Sequence, residues 1–182
     1  MQEASALPTE RDLQVSGPAQ LNIFKMASRK FELQLAAALF ECTRIQPPGP
    51  GSAITTGAGR LVWWQPGAWI LKEDPSSSES VADAVESVAA AVPIHTAELG
   101  SHFLAFEICG SRWRELLTRG CSLEVFAPAF APGFATRTTL GAFDVAIDVV
   151  EQNRCELLVM RSFAEDFATW LRSLSVALAD SD

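Results

Sequence analysis

The sequence has 182 residues, of which 48% are hydrophobic and 20% are charged, with 11 Phe, 5 Trp and no Tyr. This composition is typical of one packed domain or a tightly joined pair, and it excludes a largely disordered chain. Fourteen Lys plus Arg against 22 Asp plus Glu give a net charge of -8. Nucleic acids and anionic membrane surfaces are therefore not expected as partners, because both are bound mainly through positive charge.

The start of the chain shows neither an export signal nor a membrane span. Glu3, Glu10 and Asp12 stand where a signal peptide would carry basic and then apolar residues. No apolar run approaches the roughly 18 to 20 residues that cross a bilayer. The four cysteines include no CxxC pair of the kind used by zinc or redox sites. We expect a cytoplasmic protein with free thiols, and a disulfide is the weaker alternative.

The pattern divides the chain into an N-terminal arm, residues 1–29, and a single α+β domain, residues 30–182. The arm is mixed and turn-rich without a sustained period, and we expect it to become ordered on a partner. Residues 30–40 are rich in Ala and Leu and carry apolar residues at four-residue spacing, which predicts a helix. The Pro- and Gly-rich residues 47–51 predict an exposed linker or a rigid loop.

The middle of the chain predicts strands and a second helix. Residues 60–72 form two short strands or one bent strand, with the turn at residues 65–67. Residues 79–91 carry Val at helical spacing and follow a serine-rich stretch, residues 76–80, that suits a helix cap. Residues 102–108 have the aromatic and β-branched character of a strand.

The last third predicts two helices around three strands. Ser111 is a suitable N-cap for a short helix over residues 112–118. A capping box of Ser162 and Glu165 begins a longer helix over residues 162–177. The strands between them are residues 137–140, 142–150 and 156–159. This order of elements predicts an α+β fold with a ferredoxin-like core.

No set of residues indicates catalysis. His95 and His102 are seven residues apart in strand-like contexts, and lone histidines are far more often structural than catalytic. The sequence contains no GxSxG, GxxxxGK[ST] or HExxH motif. Gly57-Ala58-Gly59 is too short for a dinucleotide fingerprint and is better explained as a turn before a strand. We therefore expect no catalytic residue, no cofactor and no metal in this chain.

Aromatic residues and one arginine are the candidates for contact with a partner. Adjacent strand residues face opposite sides, so two neighbouring tryptophans cannot both enter one core, and either a partner or the chain's own arm covers the second. Three phenylalanines in a proline-containing loop fill either this domain's core or a partner's pocket, and the arginine pairs with a carboxylate inside the chain or across an interface. The six candidates are Trp63, Trp64, Phe126, Phe130, Phe134 and Arg137.

Several short motifs in order carry a family resemblance. Residues 110–138 contain Gly110-Ser111, Glu115-Leu116-Leu117, Gly120-Cys121-Ser122-Leu123, Pro132-Gly133 and Arg137-Thr138. The flanking motifs are LVWWQPGAWIL at residues 61–71, Arg161-Ser162-Phe163-Ala164 and Trp170-Leu171. Over residues 58–175 the sequence resembles the γ subunit of heterotetrameric sarcosine oxidase.

The resemblance implies kinship with the folate-binding T-protein of the glycine cleavage system, with a ferredoxin-like core as in the N-terminal part of that fold. It implies a non-catalytic γ subunit that packs against α, β and δ subunits of a complex that oxidatively demethylates sarcosine or a related N-methyl amino acid. FAD, FMN, NAD, tetrahydrofolate and zinc are then expected on the other subunits. A free-standing folate-binding aminomethyltransferase-like domain and a regulatory or adaptor module are the alternatives.

Overall fold

A computed structural model describes residues 12–74 and 77–179 of the protein, which form ten strands and four α-helices. The strands are β1 (Gln14–Ala19), β2 (Ile23–Ala27), β3 (Ala53–Thr56), β4 (Gly59–Gln65), β5 (Ala68–Lys72), β6 (His95–Glu98), β7 (Phe103–Cys109), β8 (Ala135–Leu140), β9 (Phe143–Glu151) and β10 (Arg154–Met160). The helices are α1 (Glu32–Thr43), α2 (Val81–Ala91), α3 (Trp113–Thr118) and α4 (Ala164–Ala179).

The strands form two antiparallel sheets of five strands each. The N-sheet has the order β3-β4-β5-β2-β6, and the C-sheet has the order β8-β9-β10-β7-β1. A tight turn joins β4 to β5, and Gly67 in that turn has φ +69°, where a Cβ would lie 2.6 Å from the Ser28 carbonyl oxygen. The predicted pair of strands over residues 60–72 is thus confirmed as a hairpin.

The two sheets have the same strand order. In the N-sheet, β6-β2-β5-β4 has the antiparallel order of a ferredoxin-like sheet, and β3 is added at the edge. In the C-sheet, β1-β7-β10-β9 has the same order, and β8 is the added edge strand. The α+β fold with a ferredoxin-like core is therefore confirmed, and the structure contains that arrangement twice. The N-terminal β1 takes the place in the C-sheet that β6 takes in the N-sheet.

Each sheet has an outer face covered by helices and an inner face turned toward the other sheet. Helices α1 and α2 pack on the N-sheet around Leu39, Leu71 and Val85. Helices α3 and α4 pack on the C-sheet in a larger core that includes Trp113 and Phe167. The inner faces meet through a smaller apolar cluster: Ile23, Ala53, Val62, Ile70, Ala105, Ala135 and Leu158. Three of these seven are alanines, so the layer between the sheets contains little apolar bulk.

The expectation for the N-terminal arm needs correction. Residues 1–11 lie outside the described residues, but residues 14–27 contain two strands, one in each sheet. Strand β2 lies between β5 and β6, with Ile23 and Met26 buried. Residues 14–27 are thus ordered within this chain as two strands that the sequence did not indicate. Strand β1 contains Gly17 and Pro18, which are typical of turns, so its sequence does not read as a strand.

Two helix caps also differ from expectation, whereas all four predicted helices are confirmed with ends shifted by a few residues. Arg112 occupies the N-cap of α3 in place of Ser111, and its backbone N–H donates to the carbonyl of Asp12 at 2.9 Å. Ser162 lies inside a 3₁₀ turn, Arg161–Phe163, that leads directly into α4. The predicted capping box is therefore wrong. In α2, by contrast, the Ser80 hydroxyl accepts a hydrogen bond from the Asp83 N–H at 3.4 Å.

Candidate functional site

Four charged side chains lie in the layer between the sheets and form what we term the charge cluster. Arg60 on β4 and Lys72 on β5 come from the N-sheet, and Asp148 on β9 and Glu156 on β10 come from the C-sheet. Side chains alternate along a strand, so these residues face inward while their neighbours in sequence face the helices. Strands β4 and β5 of the N-sheet correspond in position to β9 and β10 of the C-sheet. The N-sheet pair thus contributes the two cations, and the C-sheet pair contributes the two carboxylates.

The charge cluster is closely hydrogen-bonded. The Arg60 guanidinium binds the Asp148 carboxylate through two nitrogens, with Nε at 3.1 Å from Oδ2, and its third nitrogen donates to the Thr55 hydroxyl at 3.0 Å. Lys72 Nζ lies 3.0 Å from Asp148 Oδ2 and also contacts a Glu156 carboxylate oxygen. Lys72 is 1% exposed and Asp148 is 5% exposed. Two buried cations thus share two carboxylates, of which Asp148 is buried and Glu156 is partly exposed.

The pKa shifts in the charge cluster favour the charged forms of both buried partners. Burial alone would lower the pKa of Lys72, but the negative charges of Glu156 and Asp148 outweigh it and raise this pKa above its ordinary value. Burial would likewise raise the pKa of Asp148, but Lys72 and Arg60 lower it below its ordinary value. A charged, paired lysine is neither a nucleophile nor a base, so this arrangement is suited to joining the sheets.

Further along β4, Trp64 and Arg137 span the layer between the sheets. Arg137, on β8, lies with its guanidinium carbon 5.0 Å from the centre of the Trp64 ring, a cation–π distance. Phe103 meets the Trp64 ring edge to face at 6.0 Å. This aromatic group lies toward the end of the sheets at which β4 and β10 finish.

Two cavities share Trp64 and Arg137. The smaller, of about 200 Å³, is also lined by Lys72 and Asp148 of the charge cluster. The larger, of about 540 Å³, we term the inter-sheet cleft. Its lining includes Lys25, Trp64, Phe103, Arg137, Asp144 and Met160. This cleft combines aromatic surface with two cationic side chains, a combination common in binding sites.

The structure separates the two predicted tryptophans. Trp63 is half-buried against the cluster of α1, α2 and the N-sheet, whereas Trp64 is half-buried on the inner face. Arg137 is exposed and makes no ion pair with the residues in the described ranges. Of the six partner candidates, the structure therefore brings Trp64 and Arg137 together and places Trp63 on the opposite face.

The three predicted phenylalanines occupy different environments. Phe126 is 60% exposed, whereas Phe130 is 3% exposed and stacks on Trp113 with ring centres 5.8 Å apart. Phe134 is half-buried, with its ring centre 4.7 Å from that of Phe130. The sequence left both a core and a partner pocket open for these rings, and Phe130 lies in the core of this chain.

The sequence did not indicate the charge cluster, and of the cleft residues only Trp64 and Arg137 were among its candidates. Apolar residues alternate along β9 from Phe143 to Val149, which puts Asp148 on the opposite strand face and is a sequence signal for its place between the sheets. Lys25 was not found, because it lies on β2 within the predicted arm.

The described residues contain neither a grouping suited to a metal ion nor a helix suited to a membrane. Within the described ranges, no three His, Cys, Asp or Glu side chains are grouped so that they could hold a metal ion. No helix in the same part of the chain has the length and apolar character needed to cross a membrane.

Comparison with known proteins gives a family and a fold. The family model "Sarcosine oxidase, gamma subunit family" matches residues 30–177. No curated protein sequence matches the chain. A chain of the heterotetrameric sarcosine oxidase from Corynebacterium sp. U-96, solved in complex with pyrrole 2-carboxylate, superposes with a TM-score of 0.77 at 17% identity, covering 92% of this chain and 86% of that one.

A second solved structure shares the fold over part of its length. The glycine cleavage system aminomethyltransferase T from Bartonella henselae superposes with a TM-score of 0.65 at 11% identity. The alignment covers 90% of this chain but 46% of the aminomethyltransferase, so the chain spans less than half of that protein. At these identities the two likenesses establish the fold.

Proposed function

Because the chain belongs to the sarcosine oxidase gamma subunit family, we propose that it is the non-catalytic γ subunit of a heterotetrameric, sarcosine-oxidase-type flavoenzyme complex. The observation that carries this proposal is the family match over residues 30–177. The matched residues include eight of the ten strands, helices α1 to α3 in full and α4 except for its last two residues. A match of this length covers four of the five strands of each sheet and is not confined to one shared motif.

The proposed complex contains α, β and δ subunits in the cytoplasm and oxidatively demethylates sarcosine or a related N-methyl amino acid. FAD, FMN, NAD, tetrahydrofolate and zinc are assigned to the other subunits. The γ chain supplies binding surface, and its own ionisable residues stabilise its fold.

The inner layer of the molecule supports a structural role. The ionisable groups of the charge cluster bond to one another across the layer, so each sheet neutralises the charges that the other sheet places there. The cleft beside them leaves Arg137 exposed next to aromatic rings, and arginine and aromatic residues are enriched at protein interfaces.

The test is recovery of the tagged chain from its own cells followed by native mass spectrometry. The proposal expects one assembly that contains larger chains with flavin absorbance, whereas the isolated chain is colourless. A monomer or homodimer at native expression level would overturn it, as would flavin that stays with the purified single chain through gel filtration.

The likeness to the aminomethyltransferase favours a second candidate, a free-standing folate-binding domain. Titration of the isolated chain with tetrahydrofolate by calorimetry separates the two. Binding in the micromolar range favours the folate domain, and the absence of heat favours the γ subunit.

A further inference from the structure

We propose that the inter-sheet cleft is the docking site for a segment of a partner subunit that places an acidic side chain between Lys25 and Arg137 and an apolar side chain against Trp64 and Phe103. This inference rests on the proposed function, because it requires a multisubunit complex. It identifies which surface of the chain meets the larger subunits and the chemistry of the segment that binds there.

The two cations approach the cleft from different sheets. Lys25 is on β2, where its register partner on β5 is Ile70 of the inner layer. Arg137 is on β8, where its register partner on β9 is Ala146, also on the inner face. Both side chains therefore belong to the inner faces, and an acidic group in the cleft would contact one cation from each sheet.

The cations of the cleft differ from those of the charge cluster in their pairing. Arg60 and Lys72 are bound to carboxylates, whereas among residues 12–74 and 77–179 neither Lys25 nor Arg137 forms an ion pair. Asp144 also lines the cleft, but it is exposed and lies beyond ion-pair distance of both. Two unpaired cations against one carboxylate leave the cleft with positive charge in a protein of net charge -8. Charge complementarity therefore favours an acidic occupant.

The shape of the cleft favours a chain segment over a small molecule. Its volume of about 540 Å³ is sufficient for a few side chains. Met160 in its lining is 45% exposed and Arg137 is exposed, so the cleft is open to solvent. Small-molecule sites typically bury about 70 to 90% of the ligand surface, whereas the exposed Met160 and Arg137 leave one side of this cleft open to solvent. A partner chain would cover the opening itself and bury the exposed Met160.

The decisive experiment is zero-length cross-linking of the native complex. A carbodiimide joins a lysine amine to a carboxylate that touches it, without a spacer. The proposal expects a cross-link from Lys25 to an Asp or Glu of a larger subunit, identified by peptide mass spectrometry. Lys25→Arg keeps the charge but lacks a primary amine, so this variant should assemble normally and lose the cross-link. A Lys25 that couples to no partner carboxylate in an intact complex overturns the inference.

Charge reversal tests the same contact by affinity. The double variant Lys25→Glu with Arg137→Glu should bind the partner subunits at least tenfold more weakly than the wild type. The control, Arg119→Glu with Arg172→Glu, makes the same change in net charge at exposed positions on the helix side of the C-sheet and should bind normally. Should the double reversal unfold the chain, Lys25→Gln with Arg137→Gln repeats the test by neutralising both charges.

The outcomes separate the two proposals. If the wild-type chain assembles and the cleft variants assemble equally well, the docking site is elsewhere and the γ-subunit function stands. If the wild-type chain recovers no larger subunits, the proposed function fails and the docking inference fails with it. Saturable quenching of tryptophan fluorescence by benzoate in the isolated chain, with assembly unaffected by the variants, would assign the cleft to a free carboxylate ligand and overturn the partner segment.

Discussion

Lys72 and Asp148 meet across the layer between the two sheets, with Nζ 3.0 Å from Oδ2. The lysine ends β5 and the aspartate lies on β9, so the contact joins the N-sheet to the C-sheet. Arg60 binds the same carboxylate from the N-sheet side. A buried pair of this kind adds little over an apolar alternative of equal volume, but it is costly to break, because the remaining charges lose their partner.

We predict that Asp148→Asn lowers the free energy of unfolding by about 3 to 5 kcal/mol, because it leaves the buried Arg60 and Lys72 with one carboxylate between them. Urea denaturation at neutral pH measures this. Asp144→Asn is the matched control, since it makes the same change on the same strand face at an exposed position and should cost roughly 0.5 kcal/mol or less. Equal effects of the two substitutions would contradict the prediction.

The stability that Asp148 contributes should depend on pH in a defined direction. Its folded pKa lies below the ordinary 3.8, so the contribution is complete above 3.8 and is lost as the pH falls through the folded value. The folded pKa of Lys72 lies above 10.5, so its contribution is complete below 10.5 and is lost as the pH rises through the folded value. The stability difference between wild type and Asp148→Asn should therefore be constant between these limits and shrink below the lower one. A difference that varies steeply around neutral pH would refute this assignment.

Phe130→Ala should destabilise the chain by about 3 to 5 kcal/mol, since it removes a ring that is 3% exposed and stacks on Trp113. Phe126→Ala, at a position that is 60% exposed, should change the unfolding free energy by less than about 1 kcal/mol. Thermal and urea unfolding of both variants measures the difference. If Phe130→Ala keeps the wild-type stability, this ring does not contribute to the core.

Gly59→Ala should be poorly tolerated. Gly59 has φ +146°, and a Cβ there would lie 2.3 Å from the backbone carbonyl oxygen of Lys72. The strained backbone alone costs roughly 1 to 3 kcal/mol, and the clash with Lys72 adds to it. Gly49→Ala serves as the control, because a Cβ there meets nothing within 4 Å. Comparable melting temperatures for the two variants would show that β4 and β5 can separate without loss.

The elements that the sequence predicted are those with strong local signals. The hairpin of β4 and β5 has long apolar runs around a Pro-Gly turn, and the four helices have apolar stripes. The missed strands β1, β2, β3 and β6 have four to six residues each. Strands β1, β2 and β6 pair with strands that are distant in sequence, such as β7 for β1, whereas β3 forms a hairpin with β4. Local periodicity gave no indication of these four strands.

The candidate site was predictable in part for the same reason. Trp64 and Arg137 stood out by residue type, but their contact and the cleft beside them depend on how two sheets face each other. Lys25 carries no local signal at all, since a lysine in a short strand is unremarkable until its strand is placed in the sheet. The repeated architecture was equally hidden, because the second copy takes its last strand from the start of the chain.

The pairing of the N-terminal β1 with the C-sheet affects the order in which the chain can fold as it leaves the ribosome. Strand β1 is made first, but its partner β7 follows only after all five strands of the N-sheet, which lie consecutively from β2 to β6. The N-sheet and its two helices can therefore assemble during synthesis, whereas the backbone groups of β1 stay unpaired until β7 has been made. Pro18 within β1 lacks an N–H, which suits a strand that ends at a sheet edge and makes it a poor template for pairing with other nascent chains.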